Sequence, residues 1–152
     1  ADLIYLLQPF NCQILICDIL DKSGVVDTYG ATQVLQDELL AEADVISLHV
    51  PLTELTQGMV NEEFLQKMKP TAYLINNSRG PVVNQKALKN ALQEKIIAGA
   101  ALDVFESEPP DDLEFLALPN LMVTPHIGGN ANEAVLAMGR SAIRHLKEFF
   151  LD

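Results

Sequence analysis

The side chains able to do chemistry in this sequence cluster at the ends of apolar runs. In "INNSRGPVV" such a run leads to Arg79, then Gly80 and then Pro81, whose fixed φ forces an extended path. In "AALDVFESEPP" a run ends in Asp103, and Glu106 and Glu108 lead into a double proline. In "VTPHIGG" a short run and a proline deliver His126, followed by Gly128 and Gly129, where backbone can approach closely. A guanidinium grips a carboxylate through two parallel hydrogen bonds. An imidazole exchanges protons near neutrality, and a carboxylate beside it stabilises the protonated ring. Each group also has an ordinary explanation: a surface arginine in a solvated ion pair, or a hydrogen-bonded structural histidine. Brought to one edge, the three would hold a carboxylate and pass a proton to an adjacent carbonyl.

Such an edge requires parallel strands. Short β-rich runs, "QILICD" from Gln13, "DVISLHV" from Asp44, "TAYLINN" from Thr71, "AGAALDV" from Ala98 and "LMVTP" from Leu121, alternate with amphipathic stretches. That alternation is the pattern of βαβ units, and consecutive apolar residues within the runs predict strands covered by helices on both faces. Helices are expected over Val34–Ala43, Asn61–Lys67, Asn84–Glu94 and Asn130–Phe150. The last carries Val135, Ala142, Ile143, Leu146, Phe149 and Phe150 on one broad stripe. Asn61 and Asn84 are candidate N-caps, and Gly99 is expected to stop the helix that ends near Lys95. The ligand side of such a sheet lies beyond the carboxyl ends of its strands.

Composition narrows the function classes. The 152 residues suit one domain with a real core, and 49% are hydrophobic. A formal charge of -11 disfavours attraction to nucleic acid phosphates or anionic lipid. No run approaches the roughly 20 apolar residues of a membrane helix, and no signal peptide opens the chain, so a cytoplasmic protein is expected. Cys12 and Cys17, five apart in one expected strand, would face opposite ways as buried unpaired thiols. Neither they nor the histidines form a metal-binding pattern.

At the N-terminus, "ADLIYLLQPF" reads as a helix ending near Pro9, followed by a strand with Asp18 at its tip. This is the second half of a Rossmann βαβ unit, without the strand and glycine-rich turn that meet a pyrophosphate. An acid there can accept hydrogen bonds from both adenosine ribose hydroxyls and repel a 2'-phosphate, favouring NAD; an aspartate ending a strand is also simply a turn former. The fold class expected is α/β, a Rossmann-like doubly wound parallel sheet, incomplete at its start.

In their order and spacing, "LHVPLTELTQGMVN", "LINNSRGPVVNQKAL", "GAALDVFESEP" and "TPHIGGNANEA" closely resemble the nucleotide-binding domain of the D-isomer-specific 2-hydroxyacid dehydrogenases. The resemblance covers nearly the whole chain, and "HIGGNANEA" leans towards the phosphoglycerate dehydrogenase-like branch. It implies that residues 1–152 are a partial dinucleotide-binding domain without the family's substrate domain. Arg79 would hold the 2-oxo acid carboxylate, His126 would be the general acid/base, and Glu108 its partner, with Glu106 left in solvent. Asp103 would lie near the nicotinamide carboxamide, Asp18 at the ribose, and Val50, Pro51 and Thr56 in the loop beside adenine and ribose. Ser78, Gly128 and Gly129 would face the cofactor. The implied reaction moves hydride between NAD and C2 of a small 2-hydroxy or 2-oxo acid, in a homodimer. "CDIL" lacks the proline that often follows the ribose acid, and without the glycine-rich turn the chain alone should bind NAD poorly and not turn over. A non-catalytic alternative resembles the NAD(H)-sensing C-terminal binding protein corepressors.

Overall fold

The computed structural model describes residues 2–151. Its centre is a four-stranded parallel sheet in the order β3 (Val45–Leu48), β4 (Tyr73–Asn76), β5 (Gly99–Leu102) and β6 (Leu121–Val123). Leu48, Asn76 and Leu102 lie in one row of the register, with Val123 beside Leu102. The strands therefore end level, and the segments that follow them share one edge. These are the runs from His49, Asn77, Asp103 and Thr124.

Strand alternation sends Ile46, Leu48, Leu74, Ala100 and Leu102 into the core, where α3 (Gln36–Glu42), α4 (Glu62–Lys67), α5 (Gln85–Gln93) and α6 (Leu113–Leu116) meet them. In α5, Leu88, Ala91 and Leu92 are buried at the i, i+3, i+4 spacing of one helix face. Asn84 accepts the Ala87 N–H at 2.9 Å and Asn61 accepts that of Phe64 at 2.9 Å, so both caps form as the sequence suggests. Asp112 does the same for α6 through Phe115 N–H, and Lys89 ties α5 to that helix by contacts of 2.9 Å to Asp112 and 2.7 Å to Glu114. Phe115, fully buried, fills the space between.

Several expectations are corrected. The opposite sheet face is not covered among the described residues: Val45, Tyr73 and Met122 are 56%, 53% and 66% exposed. Adjacent apolar residues report that both faces are apolar, but not which element covers each. Neither α1 (Asp2–Leu7) nor α7 (Asn132–Leu151) has a buried residue among those described. Leu3 and Leu6 of α1 are exposed, and the stripe of α7 is open, with Val135 at 53% and Phe149 at 80%. Gly99 does not stop α5. Lys95 adopts the left-handed region with φ 56°, while Gly99 begins β5, where a Cβ would lie 2.8 Å from the Asn120 carbonyl oxygen and 3.0 Å from the Tyr73 ring.

The N-terminal part forms a second parallel sheet, β1 (Leu15–Ile16) with β2 (Thr32–Gln33), joined through α2 (Ser23–Tyr29). The run from Gln13 shrinks to two strand residues because its one partner is itself two residues long. Cys12 lies outside the strand, and both thiols are exposed, contrary to the buried pair expected. Partial burial and the charge of Asp18 push the Cys17 thiol upward in pKa. The helix α2 and strand β2 went unforeseen because "SGVVDTY" and "TQ" carry neither a long apolar stripe nor an apolar run.

Candidate active site

The carboxyl edge of the sheet brings Glu108 and His126 into direct contact, Nδ1 to Oε2, at 2.7 Å. The other oxygen of Glu108 accepts the Phe105 N–H at 3.1 Å. These two bonds, that from His126 foremost, hold the Glu108 carboxyl below its ordinary pKa, so the acid is ionised and Nδ1 carries the proton. Nε2 is then the nitrogen free to exchange a proton at the sheet edge. The Glu108–Pro109 peptide bond is cis.

His126 itself sits in the left-handed region, φ 53°, a conformation disfavoured for a residue with a Cβ. Asp103 secures it. One carboxylate oxygen accepts the Thr124 hydroxyl at 2.5 Å and the Ile127 N–H at 2.9 Å, and the other accepts the Gly128 N–H at 2.9 Å. Burial alone would raise the Asp103 pKa and is the largest single influence, yet the bonds from Thr124, Ile127 and Gly128 together hold it lowered. A buried carboxylate thus pins the loop from both sides of the imidazole.

Arg79 begins from a second constrained turn. Asn76, 1% exposed at the end of β4, accepts the Ser78 N–H at 3.0 Å and the Ser78 hydroxyl at 2.8 Å, and donates through Nδ2 to the Arg79 carbonyl at 3.0 Å. The guanidinium donates to the Ser78 carbonyl at 2.7 Å. Next in the chain, Gly80 lies so close to the following loop that a Cβ there would be 1.8 Å from the Phe105 carbonyl oxygen. The Arg79 turn and the segment that fixes Glu108 therefore rest on the same backbone. Glu106 is exposed, as expected, and its Oε1 also accepts the Gln85 N–H at 2.8 Å, the first amide of α5.

Between the ends of β3 and β4 opens a cleft of about 660 Å³ lined by His49, Val50, Pro51, Leu52, Asn77, Ser78 and Arg79. Of the residues singled out in the sequence, Val50, Pro51, Ser78 and Arg79 line it. Thr56 does not; its hydroxyl donates to the Pro51 carbonyl at 2.6 Å and accepts the Thr53 N–H at 2.8 Å, stapling the loop. Gly128 stands against Asp103, and nothing lies within 4 Å of where a Gly129 Cβ would be. Asp18 belongs to the other sheet, where Leu20 N–H (2.9 Å) and Lys22 (3.1 Å) engage its carboxylate and lower its pKa.

Sequence reasoning passed over His49, whose Nε2 lies 2.9 Å from the Ser47 hydroxyl, and Asn76. The signal for Asn76 was available: an asparagine at a strand end two residues before a serine is the pattern of a side chain that closes its own turn. Among the described residues no cluster of His, Cys, Asp or Glu could hold a metal, and no helix is long and apolar enough to cross a membrane.

A family model described as "D-isomer specific 2-hydroxyacid dehydrogenase, NAD binding domain" matches residues 1–128. The glyoxylate reductase of Pyrococcus furiosus is 47% identical over 142 residues, covering 93% of this chain and 42% of its own length. The glycerate dehydrogenase of Methylorubrum extorquens is 39% identical over 145 residues, 93% of this chain and 44% of the relative. Among solved structures, D-lactate dehydrogenase from Aquifex aeolicus complexed with NAD and lactic acid superposes with a TM-score of 0.83 at 33% identity, over 96% of this chain and 48% of that one. The chain thus spans less than half the length of these relatives.

Proposed function

The chain belongs to the D-isomer specific 2-hydroxyacid dehydrogenases, matching their NAD binding domain, and from that premise we propose that residues 1–152 are the dinucleotide-binding part of an enzyme that interconverts a small D-2-hydroxy acid and its 2-oxo acid. The observation that carries this reading is the Glu108–His126 contact at 2.7 Å on the strand edge that also bears Arg79. A dinucleotide suits the site: the cleft lies beyond the carboxyl ends of parallel strands, with apolar Val50 and Pro51 beside polar Ser78 and Asn77. Val50, Pro51 and Ser78 would line the cofactor, Asp103, Gly128 and Gly129 would stand at its nicotinamide end, and Thr56 would hold the loop in shape. Asp18 takes the ribose once Lys22 gives way. When bound, NAD supplies or accepts the hydride at C2.

The protein's own part is orientation and proton transfer. Arg79 holds the substrate carboxylate and so fixes the carbonyl relative to the cleft. His126 gives its Nε2 proton to the carbonyl oxygen in reduction and takes the hydroxyl proton in oxidation. Glu108, kept ionised, retains the Nδ1 proton and stabilises the imidazolium. The related proteins described above are reductases and dehydrogenases, which favours this reading over a corepressor-like sensor. We place the enzyme in the cytoplasm as a homodimer, and a monomer in equilibrium sedimentation would refute that assembly.

The test uses a full-length form and follows NADH oxidation with glyoxylate, hydroxypyruvate and pyruvate. Turnover with at least one is expected. His126→Asn, a side chain that tolerates the left-handed backbone, should lower kcat by about 100-fold or more while NADH affinity stays within about twofold. Turnover comparable to the parent would remove His126 from the mechanism.

A further inference from the structure

We propose that Asn76 is the positioning residue for substrate-carboxylate binding, acting through Arg79, an inference that rests on the dehydrogenase reading above. Asn76 sits between Leu48 and Leu102 in one row of the sheet, and it is 1% exposed. A polar side chain buried there is costly unless its hydrogen bonds are made. It makes three, and every one goes to the turn that carries Arg79. Oδ1 gathers the amide and hydroxyl of Ser78, and Nδ2 holds the carbonyl of Arg79. The amide therefore serves as a template on which residues 77–79 are wound.

The guanidinium inherits that geometry directly. Its Nη1 donates to the Ser78 carbonyl at 2.7 Å, so the segment wound around Asn76 is also the platform against which the fork lies. On the far side, the close approach of Gly80 to the Phe105 carbonyl blocks the turn from sliding outward. A leucine or valine at position 76 would suit the core but leave the Ser78 amide and Arg79 carbonyl without these partners. Two-point recognition of a carboxylate is sensitive to the direction of the fork, so loss of the template should appear in substrate binding before it appears in proton transfer.

The experiment compares Asn76→Ala, Asn76→Asp, Arg79→Ala and the double variant Asn76→Ala/Arg79→Ala in the full-length enzyme. Asn76→Asp preserves shape and the acceptor, replaces the donor to the Arg79 carbonyl by an oxygen and adds a buried carboxyl group, and is read beside Asn76→Ser, a small neutral side chain that serves where Asn76→Ala fails to fold. Leu74→Ala, fully buried two residues earlier on the same strand face, is the control for general loosening. Expected for Asn76→Ala and Asn76→Asp is a rise of about tenfold or more in the KM for the 2-oxo acid, and in the Kd of oxamate measured by calorimetry with NADH present. The Kd of NADH should stay within about threefold, and kcat at saturation should change by a smaller factor than KM. In the Arg79→Ala background Asn76→Ala should add less than about twofold, because the group it positions is gone. The inference is overturned if the Asn76 variants keep KM within twofold, if Leu74→Ala raises KM equally, or if the double variant is additive. Parent enzyme without turnover on any 2-oxo acid would instead sink the dehydrogenase reading.

Discussion

Gly80→Ala forces backbone to move. The added Cβ would stand 1.8 Å from the Phe105 carbonyl oxygen, 2.0 Å from its carbon and 2.7 Å from the Glu106 nitrogen. Tolerable contacts begin near 3.0 Å, so the two segments must separate by at least about 1.2 Å, and no flexible side chain lies between them to yield. Inserting a methyl into a packed contact costs roughly 1–3 kcal/mol. The displaced segment also carries the Phe105 N–H bond to Glu108 and the Glu106 bond to Gln85 N–H, each contributing about 1 kcal/mol. Together the substitution should destabilise by about 3–5 kcal/mol, which for a chain of this size lowers Tm by roughly 6–20 °C. Denaturant unfolding and a thermal melt read this directly. Gly129→Ala, where open space surrounds the position, is the matched control and should leave Tm within about 2 °C. A Gly80→Ala protein melting with its parent would refute the claim that the two turns abut.

Other substitutions separate the remaining interactions. Asp103→Asn should alter the acid limb of stability. The lowered pKa of Asp103 means that its contribution is present above the ordinary value of 3.8 and is lost as pH falls through the folded-state value below it. Tm plotted against pH should therefore fall less steeply below about pH 4 in Asp103→Asn, from a lower plateau at neutrality, and parallel curves would contradict this. Asn84→Ala removes the cap on Ala87 N–H and should cost about 1 kcal/mol by urea midpoint, with an unchanged m-value. Phe115→Ala empties a fully buried site and should cost about 3–5 kcal/mol; a loss below about 1 kcal/mol would mean that the core collapses into the space.

Much of the fold was readable because local signals agreed. The four runs that became β3 to β6 were apolar, short and bounded by turn residues. The asparagines before α4 and α5 are side chains that favour caps over helix interiors. What escaped had no local signature. That one sheet face stays open is not written in the apolar runs themselves, and β1 was overlength because a strand's extent depends on a partner distant in sequence. The site divides in the same way. Arg79, Glu108 and His126 announce themselves by type and by their position after apolar runs. Asn76 carried a local signal that was passed over, an asparagine two residues before a serine, whereas Gly80 acts through a steric contact that exists only once the turn after β4 and the loop after β5 are neighbours. Glu106, exposed as its sequence context suggested, also bonds an amide 21 residues away, a partner that no local pattern announces.

The anchoring of the His126 loop by Asp103 also bears on the order in which the molecule folds. The partners of that carboxylate lie 21, 24 and 25 residues further along the chain, so the left-handed backbone at His126 gains its support only after β5 and β6 have paired. The reactive loop is thus tied to the pairing of the sheet. The amide hydrogens of Ile127 and Gly128, bonded to a side chain and not to a strand ladder, become clocks for it. In pulse-labelled hydrogen exchange they should gain protection after the β5–β6 amides, and in the native protein they should lose it first as acid protonates Asp103.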